Sequence, residues 1–245
     1  MVAREPEHQV RLPVLRAGWT TQTFVHWAYP PDQVQALLPK GLAVDEYDGT
    51  AWVGLTPFVM SDVRPPGVPR SMPGLPTFPE TNLRTYVRGP GGRDGVWFLA
   101  IEVAFPLMLA ARAVGAPYHP GRLDVSRREG LLAYSGSRWA AESSYRLVVR
   151  PGEPVTPTER DVWLTSRWRA YTRRLGALWD TPVAHEPWPL RAGTLHELDE
   201  TVTRAAGLPA PRTEPLVHFS DGVRQVRMGV SRPVRPATDP IGAIE

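Results

Sequence analysis

Cysteine is absent from all 245 residues. That removes disulfides, thiolate zinc sites, iron–sulfur clusters and a cysteine nucleophile together, and leaves the fold to rest on its hydrophobic core. Lysine is almost as scarce: of the 28 basic residues only Lys40 is a lysine, so the protein carries one side-chain amine. Phosphate-cradling Gly-x-x-x-x-Gly-Lys-Ser/Thr runs and Gly-x-Ser-x-Gly nucleophile elbows are missing too. Gly89-Pro-Gly-Gly-Arg-Asp-Gly95 imitates a dinucleotide fingerprint, but Asp94 stands where the third glycine belongs and the segment joins two strand-like runs. The histidines at 8, 26, 119, 185, 196 and 218 never recur at the two- or four-residue spacing of metal pairs, and neither His185-Glu186 nor His196-Glu197 continues into a zincin motif. No metal and no other cofactor is expected.

Long apolar runs are lacking as well. Val96–Ala111, the most apolar stretch, is interrupted by Glu102 and Pro106 and falls short of the roughly 20 residues a membrane span needs. Met1–Gln9 carries Arg4, Glu5, Glu7 and His8 and has no apolar core of a secretory signal, so a cytoplasmic location is expected. The formal charge of +3 is too small for wholesale phosphate neutralisation, despite an isoelectric point near 9.5, and argues against a nucleic-acid partner. Self-association into a homo-oligomer stays compatible with every feature of the sequence.

What is present is ordinary globular composition, 42% hydrophobic and 22% charged, punctuated by 28 prolines and 21 glycines between short apolar runs. That punctuation predicts many short strands rather than long helices. Strands are expected at 20–29, 51–60, 81–88, 96–105, 122–127, 131–138, 143–150, 168–173 and 178–185. Two more, 215–219 and 223–230, are expected to pair across a Ser220-Asp221-Gly222 turn. Short helices should follow Pro30-Pro31-Asp32, fill Thr158–Ser166, and occupy Pro106–Gly115 as a buried element. The sum is a mainly β (α+β) protein whose strand spacing suits one barrel-like domain with a cavity over residues 10–230, flanked by loose termini at 1–9 and 231–245.

The informative segment is Phe78–Arg88. Period-two alternation places Glu80, Asn82, Arg84 and Tyr86 on one face and Leu83 and Val87 on the other. Val96–Phe105 is apolar on both faces except at Glu102, which predicts a strand buried on both sides and a carboxylate in need of a partner or a raised pKa. If Arg88 pairs with Val96 across the turn, Asn82 stands opposite Glu102 with Arg84 on the diagonal; a slip of one residue undoes this. In that register the polar row forms a cluster suited to a small polar or anionic ligand. Arg84 would hold a carboxylate by its planar fork, and Glu80 would act as acid or base. A structural Arg–Glu pair without chemistry is the alternative. His26, His119 and His218 lie in apolar settings typical of hydrogen-bonded core histidines. His119, which follows Tyr118 at the start of a strand, is the strongest site candidate among them. The catalytic candidates are thus Glu80, Glu102 and His119, and the ligand-binding candidates Arg84, Asn82, Tyr86, Tyr118 and His26.

Thr23-Phe-Val-His-Trp27, Leu38-Pro-Lys-Gly-Leu42, Asp48–Phe58, Phe78–Val87, Gly95-Val-Trp-Phe98, Pro117-Tyr118, His185–Leu190 and Val217-His-Phe-Ser220 together resemble the YqjF-like family of uncharacterised bacterial proteins, within the acetoacetate decarboxylase-like superfamily. The resemblance covers most of the chain. It implies a closed β-barrel around an internal cavity, and Pro79-Glu80 is similar to the place where the decarboxylase keeps an active-site glutamate. The decarboxylase forms a Schiff base on a buried lysine. The comparable region here reads Gly115-Ala-Pro-Tyr-His-Pro-Gly121 and offers no amine, while Lys40 sits in a Pro-Lys-Gly turn. Schiff-base decarboxylation is therefore not expected. Two readings remain: a lysine-independent enzyme, lyase- or isomerase-like, acting on a small oxygenated or carboxylate substrate, and a non-catalytic binding or carrier domain for the same kind of molecule.

Overall fold

The computed structural model describes residues 2–6, 9–139 and 141–234. Its strands are β1 (Leu15–Tyr29), β2 (Ala43–Val44), β3 (Ala51–Arg64), β4 (Phe78–Arg88), β5 (Asp94–Val103), β6 (Tyr118–Arg128), β7 (Leu131–Arg138), β8 (Ser144–Pro154), β9 (Arg169–Arg174), β10 (Ala177–Ala184), β11 (Leu190–Glu200), β12 (Leu216–Met228) and β13 (Arg232–Pro233). Three short helices join them: α1 (Pro31–Gln35), α2 (Glu159–Thr165) and α3 (Val202–Ala205).

All the strands belong to one sheet that closes on itself twice. One ring runs β10-β9-β5-β4-β3-β1-β12 and back to β10; the other leaves β5 through β6, β7, β8 and β11 and returns to β12. The five strands β12, β1, β3, β4 and β5 belong to both rings. They form a wall with a compartment on each side. This explains why β5 is apolar on both faces, since neither face of such a wall meets water. Residues on one side of the wall, Val25, Leu55, Leu83 and Ala100, pack with Tyr134, Leu147 and Val149 from the second ring. Residues on the other, Phe24, Phe58, Ile101 and Val103, pack with Tyr118, Val183 and Trp188.

The mainly β class and the ring of strands agree with the sequence; several details do not. Ser220-Asp221-Gly222 is not a turn, because β12 runs unbroken through it. Gly222 has φ 118°, and a Cβ there would lie 2.1 Å from the Trp19 carbonyl oxygen. The glycine is needed for close approach to β1, where Thr21 (φ 51°) bends the partner strand. Strand β11 was not anticipated, since only Leu190 in it is fully buried and its outer residues are polar. Pro106–Val114 is a 3-10 segment rather than a buried helix: it links the parallel pair β5–β6, and Leu107 is 71% exposed. Residues 231–234 are not loose, as Arg232 and Pro233 pair with Asp180 and Trp179 of β10. At the other end the Trp168 indole donates to the Ala3 carbonyl. Residues 1, 7, 8 and 235–245 of the expected tails lie outside the described residues.

Candidate functional site

Period-two alternation brings Glu80, Asn82 and Arg84 to one side of β4, as the sequence anticipates, and that side faces a cavity of about 530 Å³ inside the first ring. Phe58, Phe98, Ile101, Met108 and Trp188 supply apolar wall, with Tyr118 beside Glu80.

The pairing of β4 with β5 differs from the expected register. Arg88 pairs with Asp94, not Val96, and a bulge that leaves Leu99 unpaired shifts the rest, so Glu102 stands opposite Thr81 rather than Asn82. A one-residue shift reverses the face of a side chain. Glu102 therefore points into the other compartment, where its Oε1 accepts hydrogen bonds from Ser143 Oγ (2.7 Å) and Arg138 Nε (3.2 Å). His119, paired with Glu102 across the parallel β5–β6 ladder, does not line the cavity either. Burial lowers its pKa, helped by the charges of Arg138 and Arg112.

Glu80 is buried, and among the described residues no basic side chain pairs with it. Tyr118 Oη donates to its Oε2 at 3.3 Å, and the Asn82 amide, with its nitrogen toward Glu80, donates to Oε1 at 3.2 Å. Burial outweighs both bonds and pushes the Glu80 carboxyl up to about 8. It is a neutral acid at neutral pH.

Beneath Arg84 lies a polar floor organised by α2. Thr158 caps this helix: its hydroxyl accepts from Asp161 N (3.2 Å), and the Asp161 carboxylate accepts from Thr158 N (2.8 Å). At the opposite end, last-turn carbonyls that lack helical partners find donors from the barrel. Leu164 O accepts from Tyr86 Oη and from Arg84 Nη2 (3.2 Å), and Trp163 O accepts from Arg167 Nε (3.0 Å). Because the one Tyr86 proton goes to Leu164, His26 Nε2 must donate to Tyr86 Oη, at 2.8 Å. His26 and Tyr86 thus support the floor and do not line the cavity. His218, the third core histidine, pairs with Asp161 at 3.4 Å.

Two lining residues escaped the sequence reading. Arg167 reaches the cavity between α2 and β9, held by Asp45 (2.7 Å) and Asp94 (3.1 Å) and lying over the Tyr86 and Trp163 rings. His185 follows β10 and sits among Trp19, Trp168 and Trp188. Both are remote in sequence from β4, and no spacing rule links them to it. Arg84 differs from Arg167 in having no carboxylate partner among the described residues; its guanidinium lies 5.7 Å from the Phe24 ring centre.

Four fully covered nitrogen atoms belong to residues of the lining. Arg84 Nε, Arg167 Nη2, Trp19 Nε1 and Trp179 Nε1 are buried on cavity-lining residues without an acceptor, and all four are donors. Buried donors left unmet are rare in native proteins and costly.

Residues 16–224 match the family model DUF2071, described as an uncharacterized conserved protein. The chain belongs to the DUF2071 family. It is 31% identical over 213 residues to the uncharacterized protein YqjF of Bacillus subtilis (strain 168), covering 84% of this chain and 87% of that one. Among solved structures, an acetoacetate decarboxylase-like enzyme from Sphingomonas wittichii RW1 superposes with a TM-score of 0.63 at 19% identity, over 93% of this chain and 96% of that one. The enduracididine biosynthesis enzyme MppR complexed with pyruvate gives 0.63 at 17%, over 93% of each chain. At such identities the structures share the fold. In this DUF2071 member, Ala116 and Tyr118 of the lysine-free Gly115–Gly121 segment are on the cavity wall. The one lysine, Lys40, is exposed and outside the lining.

Proposed function

We propose that the cavity binds a small carboxylate or similarly oxygenated molecule against Arg84, and that Glu80 exchanges a proton with it, without a Schiff base. The observation that carries this reading is the Arg84 guanidinium, which is on the cavity lining and has no carboxylate partner among the described residues. An anionic ligand supplies the missing counter-charge, and a carboxylate matches the fork of Arg84. Arg167 is already neutralised by Asp45 and Asp94 and Arg169 by Asp180, and Arg174 is exposed, so Arg84 is the sheltered cation of the lining awaiting a counter-ion. A neutral Glu80 beside it does not repel an anion and has a proton to give to a carbonyl or enolate oxygen. Turnover then follows a lyase- or isomerase-like course in which Glu80 gives and recovers one proton. The pyruvate complex of MppR, a protein of the same fold, makes 2-oxo acids the first ligands to try.

The test is a calorimetric titration with a panel of 2-oxo acids, followed by a search for chemical change. Saturable binding weakened roughly 10- to 100-fold in Arg84→Met, the cost of one charge-assisted contact of about 1.5–3 kcal/mol, supports the anion site. Turnover lost in Glu80→Gln with binding retained supports the acid–base role. Binding indifferent to Arg84 overturns the reading.

A further inference from the structure

Beside these donors the cavity lining holds an acceptor whose protonation state is fixed by its own hydrogen bond. His185 Nδ1 lies 2.6 Å from the Glu186 carbonyl oxygen. A carbonyl only accepts, so Nδ1 carries the proton and the neutral ring has a bare acceptor at Nε2. The one hydrogen bond of the ring among the described residues is at Nδ1, so Nε2 is without a protein partner there, and His185 is on the cavity lining. The neutral form is enforced: burial holds the His185 pKa down to about 4, with the Arg84 charge pushing the same way against the Glu186 contacts. The ring is also fixed in place. Trp19, Trp168 and Trp188 surround it at centroid distances of 5.4, 4.7 and 5.0 Å. The carbonyl that orients it is anchored in turn, because the Glu186 carboxylate accepts from the backbone N–H groups of Arg224 and Gln225 in β12. A histidine clamped in one tautomer, with its free nitrogen turned to a cavity, is built to receive a hydrogen bond.

We infer that His185 Nε2 is a specificity-determining acceptor, and that the ligand is a carboxylate bearing a hydroxyl or enol donor on an apolar body. This rests on the anion site at Arg84. The apolar body follows from size and lining. About 530 Å³ is far more room than a three-carbon acid fills, and it is walled by Phe58, Phe98, Ile101, Met108, Val183 and Trp188. The donor follows from His185, since a ligand without one leaves a buried acceptor dry in an aromatic cage.

Phenyllactate and phenylpropionate, which differ by one hydroxyl, separate the two levels of the argument. Binding is followed by tryptophan fluorescence, for which three of the indoles that surround His185 are built-in reporters. The wild-type protein should prefer phenyllactate by about tenfold or more, the penalty of an unpaired buried acceptor. In His185→Phe, which keeps a flat aromatic ring, somewhat larger, and loses the lone pair, that preference should vanish while phenylpropionate still binds. His185→Gln, whose amide oxygen restores an acceptor, should recover part of it. Equal affinities in the wild type, with binding still dependent on Arg84, overturn the role of His185 and leave the anion site standing. Failure of both acids to bind, or binding indifferent to Arg84→Met, overturns the anion site and this inference with it.

Discussion

Replacing Glu80 by glutamine should stabilise the unliganded protein increasingly as pH rises above about 4.5, with the full effect reached near pH 8. Burial raises the Glu80 carboxyl from its ordinary 4.5 to about 8. Above pH 4.5 the unfolded chain releases this proton while the folded chain keeps it, so unfolding gains free energy with each rise in pH. A folded-state pKa above the unfolded one gives stability that is full below the unfolded value and lost as pH climbs through the folded value. At about 1.4 kcal/mol for each pH unit, the loss between pH 4.5 and 8 is on the order of 5 kcal/mol, after which both states are ionised and the curve levels. Glutamine fills the same space and does not titrate. Urea unfolding at several pH values between about 5 and 9 would measure it, with the wild type losing stability relative to Glu80→Gln until about pH 8. His185 titrates in the opposite sense, its stabilisation being lost as pH falls from the ordinary 6.5 towards about 4, but it is common to both proteins and cancels in the difference. Parallel curves for the two proteins would refute a buried, unpaired Glu80.

Three further outcomes follow from the same geometry. Affinity for a carboxylate should fall as pH rises through about 8, where Glu80 becomes an anion beside the ligand, and Glu80→Gln should remove that fall in a calorimetric pH series. Glu102→Gln should cost about 2–4 kcal/mol in urea unfolding by breaking the buried pair with Arg138 and Ser143, while carboxylate affinity stays unchanged because Glu102 faces the other compartment. Borohydride added with a β-keto acid should leave the intact mass unaltered, since exposed Lys40 is the only side-chain amine; a stable adduct on it would contradict the lysine-independent reading.

The sequence made one strand legible and misread its neighbour. Glu80, Asn82 and Arg84 fall on the cavity face of β4 because alternation in a strand is local and needs no knowledge of its partners. Glu102 depended on pairing, and the bulge at Leu99 has no signature among the apolar residues around it, so one unpaired residue sent the carboxylate to the wrong side. The two-sided hydrophobicity of β5 was visible, but its cause, a wall shared by two rings, requires the closure of β10 on β12 far along the chain. Gly222 carried an honest turn signal that tertiary packing overrode. Arg167 and His185 were hidden for another reason: an arginine after a short helix and a histidine after a strand are common, and only the fold shows that they line the same space as Arg84. The absence of a second lysine, by contrast, was readable at once and bears directly on the chemistry.

The most direct test is a crystal structure of the protein soaked with a 2-oxo acid that binds in solution. The account predicts the carboxylate inside the first ring, with an oxygen about 3 Å from a nitrogen of the Arg84 guanidinium and the ligand's apolar end against Phe98 and Met108. Ligand density elsewhere on the protein, with Arg84 facing an empty or collapsed cavity, would contradict it.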